Sequence, residues 1–195
     1  ETDIYISGNY VSEKASYGGV SSACYWILND ENPQGKLYPL QSGVSSDAYG
    51  IAILNGQPIS VGWYQREHRI IPAKWVGNQR SNLDGNHDGE AMDIVIDGND
   101  YYISGWTDNK RGERDPAIWI DGIKTVLNAP NNDESWGGAT AFALAFDGDD
   151  IYISGNYVSE KASFGGVSSA CYWILNDENP QGKLYPLHSG VSSDA

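Results

Sequence analysis

Three groups of side chains in this sequence could do chemistry. The first is aromatic and cationic: Trp63 and Trp106 each follow a glycine that closes an apolar run, as Asn156 also does, and Trp136 lies in the segment APNNDESWGGA. Arg66, His68, Arg111 and Arg114 stand near them in sequence. Flat aromatic faces beside guanidinium and amide donors suit a carbohydrate or a peptide. The plainer expectation is that these tryptophans merely cover sheet edges.

The second group is Asp84, Asn86 and Asp88, alternating in Asp84-Gly85-Asn86-His87-Asp88-Gly89. Short oxygen-bearing side chains at alternate positions around a glycine turn can wrap a calcium ion. An EF-hand is excluded, because its twelfth position is Val95 rather than glutamate. The string resembles calcium loops of integrin-type propeller blades, although Asp93 falls one residue late for the aspartate they add. His87, between ligand positions, is expected to point away from such an ion. A solvated turn is the competing reading.

The third group is catalytic in type and thin in number. There are three histidines, His68, His87 and His188, and no H-E-x-x-H, G-x-S-x-G, phosphate loop or C-x-x-C. Glu67 beside His68 has the composition of an acid–base pair and equally of an exposed turn. Asp93 is the main charge among the expected innermost strands. Cys24 and Cys171 are one residue in two copies of a repeat, matched elsewhere by Ala73 and Ala117. They read as small buried hydrophobes, not a disulfide framework.

The repeat positions all of these. Residues 3–48 recur as 150–195, an offset of 147, with only Tyr17 changed to Phe164 and Gln41 to His188. Two diverged versions lie between, so the period is about 49 residues, in the range of repeats that stack into arrays. A glycine-ended strand recurs at Gly8, Gly62, Gly105 and Gly155. A small residue, a variable one and a tryptophan recur at Trp26, Trp75, Trp119 and Trp173. Before the glycine strands stand AYGIAIL, AMDIVID and AFALAFD; after the tryptophan strands come runs such as KLYPL and IKTVL. Four short Ile/Val/Tyr/Trp-rich runs per period, joined by Asn-Gly and Asp-Gly turns, predict an all-β fold. They predict a β-propeller of four-stranded antiparallel blades, with the recurring tryptophans packed between sheets.

The blade pattern A-x-x-I-x-x-D-G, Y-I-S-G, A-x-W-I and a final leucine resembles HAF-type extracellular repeats of bacterial secreted proteins. It is also similar to related arrays with a tyrosine-valine-alanine-glycine strand. The resemblance spans essentially the whole chain and rests on structural motifs. It implies a scaffold in an extracellular or periplasmic setting and carries no catalytic residues over. The tryptophan strands here lack the usual lysine-asparagine-glycine.

One repeat array over 1–195 is expected, with blades near 1–43, 44–83, 84–130 and 131–195. By register the first blade lacks its innermost strand, giving three strands, then four, four and four. Association is therefore expected, two chains sharing one eight-bladed ring, over a closed four-bladed monomer. The propeller's long loops, 9–19, 63–69, 80–90, 106–115 and 129–138, should collect on one face with the aromatic and cationic residues. Net charge is −14, from 26 Asp and Glu against 12 Lys and Arg. That field disfavours nucleic acid and anionic membrane surfaces as partners. No apolar run reaches the roughly 20 residues of a membrane span, and no basic-then-apolar leader opens the sequence. The functional expectation is a non-catalytic scaffold or binding module that recognises glycan or protein. The alternatives are an extracellular polysaccharide hydrolase or lyase, and an engineered array without a natural activity.

Overall fold

The computed structural model describes residues 2–11, 20–41, 45–129, 138–158 and 168–187. Among them are fifteen strands and no helix. They form four antiparallel sheets in chain order. The first holds β1 (Ile4–Val11), β2 (Ser21–Leu28) and β3 (Lys36–Pro39); the second β4 (Ser46–Leu54), β5 (Gln57–Arg66), β6 (Arg69–Val76) and β7 (Gln79–Asn82). The third holds β8 (Gly89–Asp97), β9 (Asp100–Asp108), β10 (Arg114–Ile120) and β11 (Ile123–Val126). The fourth holds β12 (Ala139–Asp147), β13 (Asp150–Val158), β14 (Ser168–Asn176) and β15 (Asn179–Pro186). Within each sheet the strands pair as a simple meander. The expected succession of three, four, four and four strands is what forms.

Local chemistry explains the meander. Asn55 and Gly56 take φ of 52° and 75°, the two positive values a tight β4–β5 turn requires. The first strands of the second, third and fourth sheets then carry a bulge, between Ala48 and Gly50, Ala91 and Asp93, and Ala141 and Ala143. At each bulge the small residue pairs with the glycine of the next strand, which pairs in turn with Ala or Cys. The rungs are Ala48–Gly62–Ala73, Ala91–Gly105–Ala117 and Ala141–Gly155–Cys171. A bulge shifts the two-residue alternation by one. The side chains before and after it thereby keep their assigned faces.

Consecutive sheets bury three apolar clusters. The first joins Tyr25 and Leu40 to Tyr64, Ile71 and Trp75; the second joins Ile59 and Val61 to Ile94, Ile103 and Trp119. The third joins Ile118 and Leu127 to Leu144, Ile153 and Trp173. Trp75, Trp119 and Trp173 are fully buried between sheets, as the repeat predicts, and each faces the preceding sheet. Trp26 departs from that expectation and is half-buried, because no described sheet covers its face.

Polar groups stitch the first and third of these junctions. Ser7 Oγ donates to the Tyr49 carbonyl of the next sheet at 2.8 Å, and its counterpart Ser104 to the Phe142 carbonyl at 2.9 Å. Trp75 Nε1 donates back to Gln41 O at 2.7 Å, and Trp173 Nε1 to Asn128 O at 2.5 Å. The matching position before Trp119 is Asp84, where the chain opens a different turn, and the Trp119 N–H is buried without a partner.

Candidate functional site

Among the described residues, Trp63 and Trp106 sit on strands and not in the loops the sequence suggests. Strand β5 runs through Trp63 to Arg66 and pairs directly into β6, leaving only Glu67 and His68 as a turn, Glu67 at φ 59°. Trp63 and Trp106 therefore lie on strands, paired with Pro72 and Pro116. Trp63 is half-buried and donates its indole N–H to the Tyr49 hydroxyl at 2.9 Å. Trp106 is 6% exposed, its N–H on Glu90 Oε2 at 3.2 Å and the Arg114 guanidinium 4.2 Å over its ring. Its ring is thus used inside the fold. Arg66 and His68 are exposed at the β5–β6 turn, and Arg111 is exposed in the turn before β10. Trp136 and His188 lie outside the described residues.

What the structure does bring together is a hollow of about 410 Å³ between the third and fourth sheets. Arg114 and Asn156, both singled out by type, line it. So do Glu113, Thr140, Ser168 and the bulge residue Phe142, which the sequence did not flag. Thr140 is placed by register, directly opposite Asn156 across β12 and β13. Its signal was available: it occupies the position of Asp47 and Glu90, each of which takes a hydrogen bond at this end of its sheet. Phe142 is 39% exposed because the bulge turns it out of the core. The wall thus offers a guanidinium, a carboxylate, amide and hydroxyl groups, and an aromatic surface.

The Asp84–Asp88 segment is a pinned turn. Asp84 Oδ1 accepts the backbone N–H groups of Asn86 at 2.9 Å and His87 at 3.2 Å. Its Oδ2 lies 2.6 Å from Lys124 Nζ and 3.0 Å from His87 Nδ1. His87 therefore turns toward the carboxylate, contrary to expectation. Asp88 accepts Arg69 Nε at 2.8 Å. Both carboxylates are thus engaged by cationic side chains, from β11 and β6. Among the described residues no three His, Cys, Asp or Glu gather closely enough to hold a metal ion.

Burial alone would raise the Asp84 carboxyl, but hydrogen bonds from Lys124, Asn86 and His87, with the Lys124 charge, hold it down to about 2. A depressed folded value adds stability above the unfolded value near 4, and that stability is lost as pH falls toward 2. The contribution is about 2 kcal/mol at neutral pH. Asp84→Asn should accordingly cost about that much at pH 7 and almost nothing near pH 2. Denaturant titrations across this range check it, and a pH-independent cost would refute the assignment.

Asp93, in the middle of β8, is also accounted for. Its Oδ2 accepts the Leu144 N–H of the next sheet at 3.1 Å, and its Oδ1 the Ile94 N–H at 2.9 Å. Cys24 and Cys171 are free and buried, and burial pushes their thiols up to about 11 and about 12. Neither has the lowered thiol value of a nucleophile.

No protein-family model matches this chain, and no curated protein matches it significantly. The functional reading rests on the site itself.

Proposed function

We propose that the four sheets are blades of a β-propeller and that the chain is a non-catalytic binding module. Its ligand is a glycan or an extended protein segment, seated in the hollow between the third and fourth sheets. The observation that carries this is the mixed wall at that hollow: Arg114, Glu113 and Thr140 as hydrogen-bonding groups around exposed Phe142. A concave surface with a few polar groups beside an aromatic one fits a ligand rich in hydroxyl or amide oxygens. The stitching supports the propeller part of the reading, since the first and third junctions carry the same two polar contacts.

Glycan and peptide arrays probed with the full chain test it. A ligand found there should lose at least about tenfold in affinity on Arg114→Ala and on Thr140→Val, roughly 1.4 kcal/mol each. Unchanged binding by both variants would move the site elsewhere. Turnover of a polysaccharide would overturn the non-catalytic assignment.

A further inference from the structure

The outer face of the fourth sheet repeats, residue for residue, a face that is occupied elsewhere in the same chain. On the first sheet, Tyr5, Tyr25 and Tyr38 form a ladder that packs on the second sheet against Ile71 and Trp75. Tyr25 and Tyr38 stack at 5.0 Å and 5°. On the fourth sheet, Tyr152, Tyr172 and Tyr185 form the same ladder, with Tyr172 and Tyr185 at 5.0 Å and 9°. Among the described residues no sheet covers it. Leu40 is 4% exposed on the covered face and its counterpart Leu187 is 50% exposed.

The polar stitches are duplicated as well. Asn9 Nδ2 and Ser21 Oγ both donate to Asp47 Oδ1 at 2.5 Å, Ser46 Oγ accepts the Ala23 N–H at 2.9 Å, and Ser7 bonds Tyr49 O. The fourth sheet carries Asn156, Ser168, Ala170 and Ser154 at the same positions, with Ser154 and Ala170 exposed. It is a receptor already in shape for Ser46, Asp47 and Tyr49 of a β4-type strand.

We infer that this face binds the second sheet of another copy of this chain, displacing that copy's own first sheet. The exchange rests on the propeller reading and goes beyond it. What favours it over the contact already present is strand count. The first sheet has three strands and leaves Ile53 of β4 40% exposed. In the later sheets the counterparts of Ile53, Ile96 and Phe146, pack into the neighbouring cores. The fourth sheet brings a full set of strands, with β12 placed to cover Ile53. Reciprocal exchange between two copies closes six four-stranded sheets, three from each, within the four to eight blades that propellers use. The count differs from the eight-bladed ring expected from sequence. At the new junctions Asn156 and Ser168 hold Asp47 of the other copy, leaving Arg114, Glu113 and Thr140 as the hollow's polar wall.

Sedimentation of the full chain and two matched variants tests the exchange. The parent should run at twice the chain mass. Tyr172→Asp should return it to monomer, whereas Tyr25→Asp, on the displaced sheet, should leave the dimer intact. A monomeric parent, or a dimer that Tyr25→Asp dissociates and Tyr172→Asp does not, overturns the proposal. A second measurement does not depend on how either aspartate folds. Asp47→Cys combined with Ser168→Cys should give a covalent dimer on oxidation, and a covalent monomer or no cross-link refutes exchange. Solution scattering separates the two readings. A cross-linked dimer that is elongated rather than disc-shaped keeps the exchange and rejects the closed propeller.

Discussion

Replacing Trp119 with alanine is expected to destabilise the fold by about 3–5 kcal/mol, the cost of emptying a buried aromatic site. The side chain is fully buried between the second and third sheets, against Ile59, Val61 and Ile94. Trp75→Ala and Trp173→Ala should fall in the same range, since each indole is fully buried in the matching junction. Trp26→Ala should cost clearly less, because the same residue in the first sheet is only half-buried. Phenylalanine separates packing from hydrogen bonding. Trp75→Phe and Trp173→Phe lose the hydrogen bonds to the Gln41 and Asn128 carbonyls, whereas Trp119→Phe removes an N–H that has no partner. A hydrogen bond contributes about 0.5–1.5 kcal/mol net, so Trp119→Phe should be the mildest of the three. Urea titrations followed by circular dichroism give the ranking. Equal costs for Trp26→Ala and Trp119→Ala would contradict the order of the sheets.

Much of this fold was legible because the repeat states it four times. Glycine, small residue and tryptophan recur in step, and the turns carry Asn-Gly or Asp-Gly where positive φ is needed. The reading failed where a side chain's fate depends on residues far along the chain. Trp106 looked like a loop aromatic; pairing of β9 with β10 makes it a strand residue, and Arg114 closes over it. The Asp84–Asp88 string looked like half a cation loop, yet its charges are met by Lys124, forty residues on, and by Arg69 from the preceding strands. Neither pairing has a local signature. The hollow was half visible for the same reason. Arg114 and Asn156 stand out by type, whereas Thr140 matters only through its register with Asn156.

The bulges explain why the glycine strands are so constant, and they set the other large expected effect. Gly105 lies between Ala91 and Ala117 in the central rung. A Cβ added there would run into the Glu90 carbonyl, with Trp119 Cζ3 3.0 Å away on the other side. Neither neighbour can yield cheaply: one is backbone held in the β8–β9 ladder, the other a fully buried ring. Gly155 is boxed in the same way by the Thr140 carbonyl and Trp173. Forced overpacking of this kind costs about 1–3 kcal/mol and more where backbone must move, so Gly105→Ala is expected near 3 kcal/mol. Gly8→Ala meets only the edge of Trp26, at 2.9 Å, and among the described residues no sheet packs on the other side of that half-buried indole. It should cost about 1 kcal/mol, the low end of the same range. Gly56 supplies the contrast, with open space around its Cβ position but φ at 75°. Gly56→Ala carries only the left-handed backbone penalty of about 1–2 kcal/mol. The three variants thus divide steric from conformational need by urea midpoint alone. If Gly105→Ala were no worse than Gly56→Ala, the close approach of β8 and Trp119 around Gly105 would be wrong. The rung that fixes each tryptophan between its sheets would then need another cause.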